Sequence, residues 1–187
     1  MSHRFPERVR NRKLETLLAA LLLPLGLLLA SCAPSDPEAA GIFCPDFAQV
    51  QDAARLVRFD GAGRDLTDVL FEARLQDVEM GCSYDDDENE IEAALKVTIL
   101  AARGPADSER LASFRYFVAI ATNSRQVVAR EEFDLSIPFE GNRTQLAAVE
   151  ELTPRIPLKP GQDGSEYKVF VGLVLTPAEL EYNRANR

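Results

Sequence analysis

A run of acidic residues between two hydrophobic segments carries the side chains best suited to bind a cation. It spans residues 84–90, and its candidate ligands, at the first, third and fifth positions of a calcium loop, are Asp85, Asp87 and Asn89. Glu90 stands where such a loop needs glycine, and Lys96 stands where it needs a bidentate glutamate, so the run is not an EF-hand. A weak, open Ca²⁺ or Mg²⁺ site is one interpretation. The favoured one is a solvated acidic turn that discourages edge-to-edge aggregation.

Catalysis by the common side-chain sets is excluded because the chain has one histidine, His3, and no tryptophan. Without a histidine in the body of the chain there is no Ser-His-Asp or Cys-His arrangement and no imidazole metal ligand. Paired carboxylates hydrolyse glycosides, and cell-wall glycan would be a substrate for them. That chemistry needs one acid in an apolar pocket and a second several ångströms away, which crowded aspartates on a turn do not provide. We therefore predict that the protein is not an enzyme.

A glycine-containing segment, residues 61–65, is a second candidate for ligand binding. Its sequence Gly-Ala-Gly-Arg-Asp could cradle an anion with backbone N–H groups. It lacks the Lys-Ser/Thr pair of a phosphate-binding loop and follows no strand–loop–helix pattern. The favoured interpretation is a connection between strands, held by a buried contact between Arg64 and Asp65.

The N-terminus has the form of a secretory signal. Residues 1–13 are basic, and the leucine-rich stretch over residues 17–29 is short for a helix spanning about 30 Å of hydrocarbon. The stretch ends in Leu29-Ala-Ser-Cys32, which resembles the lipobox of bacterial lipoproteins. In that family the signal peptide, here residues 1–31, is removed and the cysteine, here Cys32, is lipidated. The alternative interpretation is an uncleaved anchor helix.

The same resemblance implies where the protein resides. Acyl chains on Cys32 would hold it at a membrane, since each buried methylene contributes about 0.8 kcal/mol. In enteric bacteria an aspartate after the lipidated cysteine retains a lipoprotein in the inner membrane, whereas here Ala33 follows. We therefore expect the outer membrane, with the protein facing the periplasm. Residues 32–43 are small, polar and proline-bearing, which indicates a flexible tether.

The charge of the predicted mature chain argues against nucleic acid as a partner. Five basic and two acidic residues precede Cys32, which leaves 16 Lys and Arg against 28 Asp and Glu, a formal charge of −12. Such a surface repels phosphate backbones and anionic headgroups.

Two cysteines remain once Cys32 is lipidated, namely Cys44 and Cys82. In an oxidising compartment two such thiols normally pair, so we predict a structural disulfide. A redox-active pair is the alternative, but the spacing is not Cys-x-x-Cys and no histidine lies nearby.

Residues 44–187 read as one domain with a two-residue hydrophobic period. The period changes parity near Gln76-Asp77, which indicates a β-bulge. The stretch 114–121 is apolar on both faces and should be a central strand, whereas Pro154 and Pro157 place their run at a sheet edge. We predict seven strands, with the approximate ranges 56–59, 71–84, 91–101, 114–121, 133–139, 152–158 and 167–175.

Seven strands separated by loop signals favour an all-β, immunoglobulin-like β-sandwich. The sequence from Leu158-Lys-Pro-Gly161 to Tyr167-Lys-Val-Phe-Val171 resembles the Leu-x-Pro-Gly-x-x-Tyr-x-Val run of fibronectin type III domains. In that family the tyrosine makes a corner hydrogen bond leading into the penultimate strand. After the last strand, Thr176-Pro-Ala-Glu179 has the form of a capping box, which predicts a short C-terminal helix. We expect this helix to be a latch on the sandwich rather than a docking element.

These features predict a lipid-anchored envelope lipoprotein that acts as a non-catalytic interaction or accessory module for another envelope protein. The candidate contact residues lie at the acidic tip and at the predicted sheet edge, and they are Asp85, Asp86, Asp87, Leu152 and Ile156. No cofactor is expected apart from the covalent lipid on Cys32, with Ca²⁺ the less favoured addition. The alternative function is weak divalent-cation binding or a carboxylate-based activity on the cell wall.

Overall fold

The computed structural model describes residues 43–85, 87 and 89–187. The predicted signal peptide, Cys32, the tether up to residue 42 and Asp86 lie outside the described residues. Within the described part, none of the helices is both long and apolar enough to cross a membrane.

Two β-sheets pack face to face around one hydrophobic core, which confirms the predicted all-β sandwich. The first sheet contains, in spatial order, β1 (Asp46–Gln49), β9 (Tyr167–Leu173), β5 (Leu111–Thr122) and β6 (Val127–Pro138). The second contains, in spatial order, β2 (Arg55–Phe59), β3 (Val69–Asp85), β4 (Glu90–Arg103) and β7 (Gln145–Leu152), with β8 (Arg155–Pro157) also paired to β4. Neighbouring strands are antiparallel apart from β1 and β9, which run parallel.

The strand pattern follows the hydrophobic alternation of the sequence. The clearest case is β4, whose inward side chains are all at most 2% exposed and are Ile91, Ala93, Leu95, Val97, Ile99 and Ala101. The register of β3 against β4 shifts between Leu75 and Asp77, which confirms the predicted bulge. Strand β5 lies between β9 and β6, as its two apolar faces predict.

The described part contains nine strands, two more than the seven predicted. One addition is β7, which shares only Leu152 with the predicted run 152–158. The chain then turns at Thr153-Pro154, and β8 pairs again with β4 within that run. The other addition, β1, is only four residues long and has no clear alternation, since three of its four side chains are exposed. Its parallel pairing with β9 is a long-range contact that no local pattern indicates.

Tyr167 opens β9, and its hydroxyl donates a hydrogen bond of 3.0 Å to the side-chain oxygen of Gln162. In the fibronectin type III resemblance, a tyrosine at this place leads into the penultimate strand. Here it leads into the last strand, because a helix follows β9.

The C-terminal helix α1 (Pro177–Ala185) begins at the predicted capping box. The Thr176 hydroxyl accepts a hydrogen bond from the Glu179 N–H at 3.2 Å, and the Glu179 carboxylate accepts one from the Thr176 N–H at 2.7 Å. The helix lies against β2, where the Tyr182 ring meets the Phe59 ring edge-on at 5.1 Å. Asn183 donates hydrogen bonds to two backbone carbonyls of the sandwich, and these contacts favour the latch interpretation.

Candidate functional site

The predicted disulfide is present and joins Cys44 to Cys82, with 5.7 Å between their Cα atoms. It links the segment before β1, in the first sheet, to β3 in the second sheet. Its position between two sheets is that of a structural bond.

The acidic run forms the tip of the β3–β4 hairpin, as the sequence predicts. At this tip the Asp85 side chain accepts a hydrogen bond of 3.0 Å from the Asp87 N–H. The Asn89 side chain accepts one of 2.6 Å from the Tyr84 hydroxyl and donates one to the Leu158 carbonyl. The oxygen atoms proposed as cation ligands therefore take part in closing the turn.

The predicted cation site stays a prediction. Among residues 43–85, 87 and 89–187, no group of three or more His, Cys, Asp or Glu side chains is arranged to hold a metal ion. Asp86, which belongs to the same tip, lies outside these ranges.

The predicted sheet edge is correctly placed, since β7 and β8 each pair only with β4 in the described part of the chain. Leu152 is half-buried and points inward. Ile156 is 1% exposed and belongs to the core, which corrects its prediction as a contact residue. A partner at this edge would meet backbone groups and the Leu152 side chain, because Ile156 is buried in the core.

The glycine-containing segment 61–65 is a connection between β2 and β3, but the predicted buried contact within it is wrong. Arg64 is exposed, donates to the backbone carbonyl of Gly63, and lies over the Phe59 ring at 5.0 Å. Asp65 instead precedes a 3-10 turn, and its backbone N–H donates a hydrogen bond of 3.0 Å to the Asp68 carboxylate. Arg64 and Asp65 are therefore both exposed and make separate local contacts.

A cleft of about 380 Å³ opens between the free edges of the two sheets. One wall is the first half of β6, and the other is the turn from β7 to β8. Its lining is largely apolar, with side chains or backbone from Val118, Ile120, Ala129, Phe133, Leu152 and Pro154.

The cleft exists because the second sheet does not cover the first half of β6. Ala129 and Glu131 pair with the inward residues Ile120 and Val118, so they belong to the inward row of the strand. Both are nevertheless exposed. Strand β7 ends at Leu152, before it would reach them.

An aromatic pair lies beside the cleft. The ring of Phe133, which lines it, stacks on the ring of Tyr116 at a centroid distance of 5.1 Å and an angle of 23°. Tyr116 is fully buried, and its hydroxyl donates a hydrogen bond of 3.2 Å to the Glu150 carboxylate on β7. Burial, followed by the charges of Glu150 and Glu131, raises the pKa of the Tyr116 hydroxyl well above its ordinary value.

Around the cleft, the arginine side chains have glutamate partners, whereas one glutamate has no cationic partner in the described part of the chain. Arg130 forms an ion pair of 2.7 Å with Glu132 and lies over the Phe117 ring on the outer face of the sheet. Arg155 forms ion pairs of 2.9 and 2.8 Å with two glutamates of β4. Glu131, by contrast, forms no ion pair with any described residue. The arrangement therefore offers an apolar wall, an accessible carboxylate and two strand edges that have no strand partner among the described residues.

Three residues that meet beside the cleft were not predicted from the sequence, namely Tyr116, Glu131 and Glu150. A local signal was present, since Glu131 and Glu150 each interrupt the apolar row of an alternating strand. Their meeting at Tyr116 depends on the packing of β5, β6 and β7, which lie far apart in the chain.

Comparison with known proteins assigns no family to this chain. No family model matches the sequence, and no curated protein matches it. Among solved structures, the variable domain of the AgI/II polypeptide BspA of Streptococcus agalactiae is similar over 64% of this chain and 73% of that chain, with 12% identity and a TM-score of 0.21. A TM-score this low supports no conclusion about shared fold or function.

Proposed function

We propose that this protein is a lipid-anchored envelope lipoprotein, facing the periplasm, that acts as a non-catalytic module for binding another envelope protein. The anchor is supported by the lipobox-like sequence that ends at Cys32 and by the basic and leucine-rich segments before it. The disulfide between Cys44 and Cys82 agrees with an oxidising compartment.

The observation that carries the interaction role is the cleft between the free edges of β6 and β7. A free strand edge presents unpaired N–H and C=O groups, to which an extended segment of another protein can add as a further strand. In this cleft the edges flank exposed apolar side chains, which would supply side-chain selectivity. The acidic tip at Asp85 and Asp87 is a second place where a partner could make contact.

Photo-crosslinking in intact cells tests the interaction role. A photoreactive amino acid at Ala129, which lines the cleft and is exposed, should give a discrete crosslinked product that mass spectrometry identifies. The matched control is Phe47, which is 43% exposed on β1 at the opposite edge of the first sheet and should give no such product. A further probe at Asp87 reports on the acidic tip. An absence of specific products at both Ala129 and Asp87 would contradict the proposal.

The anchor is tested separately with Cys32→Ser. This substitution should abolish incorporation of a labelled fatty acid and leave the leader uncleaved, because the lipidated residue is gone. The double variant Cys44→Ser, Cys82→Ser serves as a control that removes the other cysteines without touching the lipobox. Unchanged labelling of Cys32→Ser would refute the lipoprotein assignment and leave the interaction role open.

A further inference from the structure

We propose that the cleft between β6 and β7 receives an extended segment of a protein partner whose lysine or arginine side chain pairs with Glu131, between apolar neighbours. This inference rests on the proposed function and specifies the chemistry of the partner.

The charge of the occupant follows from the ion pairs around the cleft. Its two arginines already have partners in the domain itself, since Arg130 shares Glu132 with Arg115 and Arg155 pairs with Glu90 and Glu92. Glu131 lines the cleft with no cation opposite it among the described residues, and Glu150 lies close by. The local excess of carboxylate is complementary to a basic side chain and repels an acidic one.

The form of the occupant follows from the strand edges. Strand β6 pairs with β5 along one side only, and in the described part its other side is a free edge. Ala129 and Glu131, two positions apart on this edge, line the cleft. An extended segment pairing with β6 would place its own alternate side chains in the same row, one of them opposite Glu131.

The wall of the cleft is preorganised to accept apolar side chains. Phe133 is held by stacking on Tyr116, and Tyr116 is held by its hydrogen bond to Glu150. Val118 and Ile120, each 5% exposed, form the floor between them and β6. Because these groups are already ordered, binding there costs little side-chain entropy.

A competing explanation assigns the inward-pointing Glu131 a purely protective role. Natural sheets place charges on edge strands to prevent them from pairing with other chains. Under that explanation the cleft has no occupant, and neutralising Glu131 promotes self-association of the protein.

The experiment selects short random peptides, displayed on a surface, against the full-length protein in detergent. The enriched peptides should carry a lysine or arginine flanked by apolar or β-branched residues. Binding of a selected peptide is then measured by fluorescence anisotropy to the unchanged protein and to Glu131→Gln and Glu131→Lys. The matched control is Glu151→Gln, because Glu151 lies on β7 but points away from the cleft.

We expect Glu131→Gln to weaken binding about threefold to fivefold, the range of an exposed ion pair, and Glu131→Lys to weaken it more. A peptide whose basic residue is replaced by glutamate should bind the Glu131→Lys variant. The same peptide should bind the unchanged protein only weakly. Glu151→Gln should leave the affinity unchanged.

Three results would overturn the inference: no enriched peptide, enriched peptides without a basic residue, or equal effects of Glu131→Gln and Glu151→Gln. Self-association of Glu131→Gln, seen by light scattering and without a selected peptide, would establish the protective role instead. A crosslinked partner at Ala129 together with any of these results would retain the proposed function while rejecting this occupant.

Discussion

The hydroxyl of Tyr116 donates a hydrogen bond of 3.2 Å to the Glu150 carboxylate, and this contact joins the two sheets beside the open cleft. Tyr116 lies on β5 and Glu150 on the edge strand β7, so the bond holds the edge of the second sheet against the centre of the first. It also connects the aromatic wall of the cleft to one of its two inward-pointing glutamates.

Tyr116→Phe should lower the free energy of unfolding by about 1–2 kcal/mol. The ring and its stacking on Phe133 are retained, whereas a half-buried carboxylate loses its donor. Urea denaturation followed by circular dichroism measures the change. The control is Tyr182→Phe, because the Tyr182 hydroxyl makes no hydrogen bond within the described residues and its loss should have little effect. Equal losses in the two variants would mean that the Glu150 contact does not stabilise the sandwich.

The same hydroxyl predicts a stability difference that depends on pH. The pKa of Tyr116 is raised in the folded protein, by burial first and then by the charges of Glu150 and Glu131. Its contribution is therefore complete below the unfolded pKa of about 10 and decreases as the pH rises above that value, because only the unfolded chain releases the proton. The stability advantage of the unchanged protein over Tyr116→Phe should shrink in alkaline buffer. An advantage that is constant with pH would contradict the raised pKa.

Removing the disulfide should destabilise the domain by about 4 kcal/mol in the chain-entropy model, since Cys44 and Cys82 are 38 residues apart. The double variant Cys44→Ser, Cys82→Ser should therefore melt at a markedly lower temperature, measured by differential scanning calorimetry. A reducing agent should shift the unchanged protein in the same direction and leave the double variant unaffected. If reduction left the melting temperature of the unchanged protein as it was, the disulfide would not contribute to stability.

In the Asn183→Ala variant, the helix α1 should detach from the sandwich and unfold locally more often. This change removes donors to the Asp52 carbonyl at 2.9 Å and to the Arg55 carbonyl at 2.6 Å. Hydrogen exchange of residues 177–185 should become about tenfold faster while the exchange of β4 stays the same. Glu181→Ala, an exposed change on the same helix, is the control. Loss of a crosslinked partner without any change in exchange would instead indicate a docking helix.

Millimolar Ca²⁺ should leave the melting temperature unchanged. The Asp85 and Asn89 oxygens already accept hydrogen bonds that close the hairpin tip, so a cation would have to displace them. Thermal melts with Ca²⁺ and with a chelator measure the effect. A rise in melting temperature that disappears in the double variant Asp85→Asn, Asp87→Asn would establish a cation site at the tip and favour the alternative function.

Local patterns in the sequence determined much of the fold. The alternation from Ile91 to Ala101 specifies a strand with one buried face, and the parity change near Gln76 specifies a bulge, because side chains on a strand alternate between its two faces. The capping box at Thr176 specifies the start of the helix, since its hydrogen bonds lie within four residues. Once Cys32 is assigned to the lipid, Cys44 and Cys82 are the two cysteines that remain, so the sequence allows a single disulfide pairing.

Only the tertiary structure decided which edges stay open and which side chains meet there. Ile156 and Leu152 both lie within two residues of a proline in the same edge run, yet the first is buried in the core and the second lines the cleft. Glu131 and Glu150 converge on Tyr116 because β5, β6 and β7 come together from separate parts of the chain. The physical reason is that strand alternation fixes which side of a strand a residue faces, whereas the packing of the two sheets fixes whether anything covers that side.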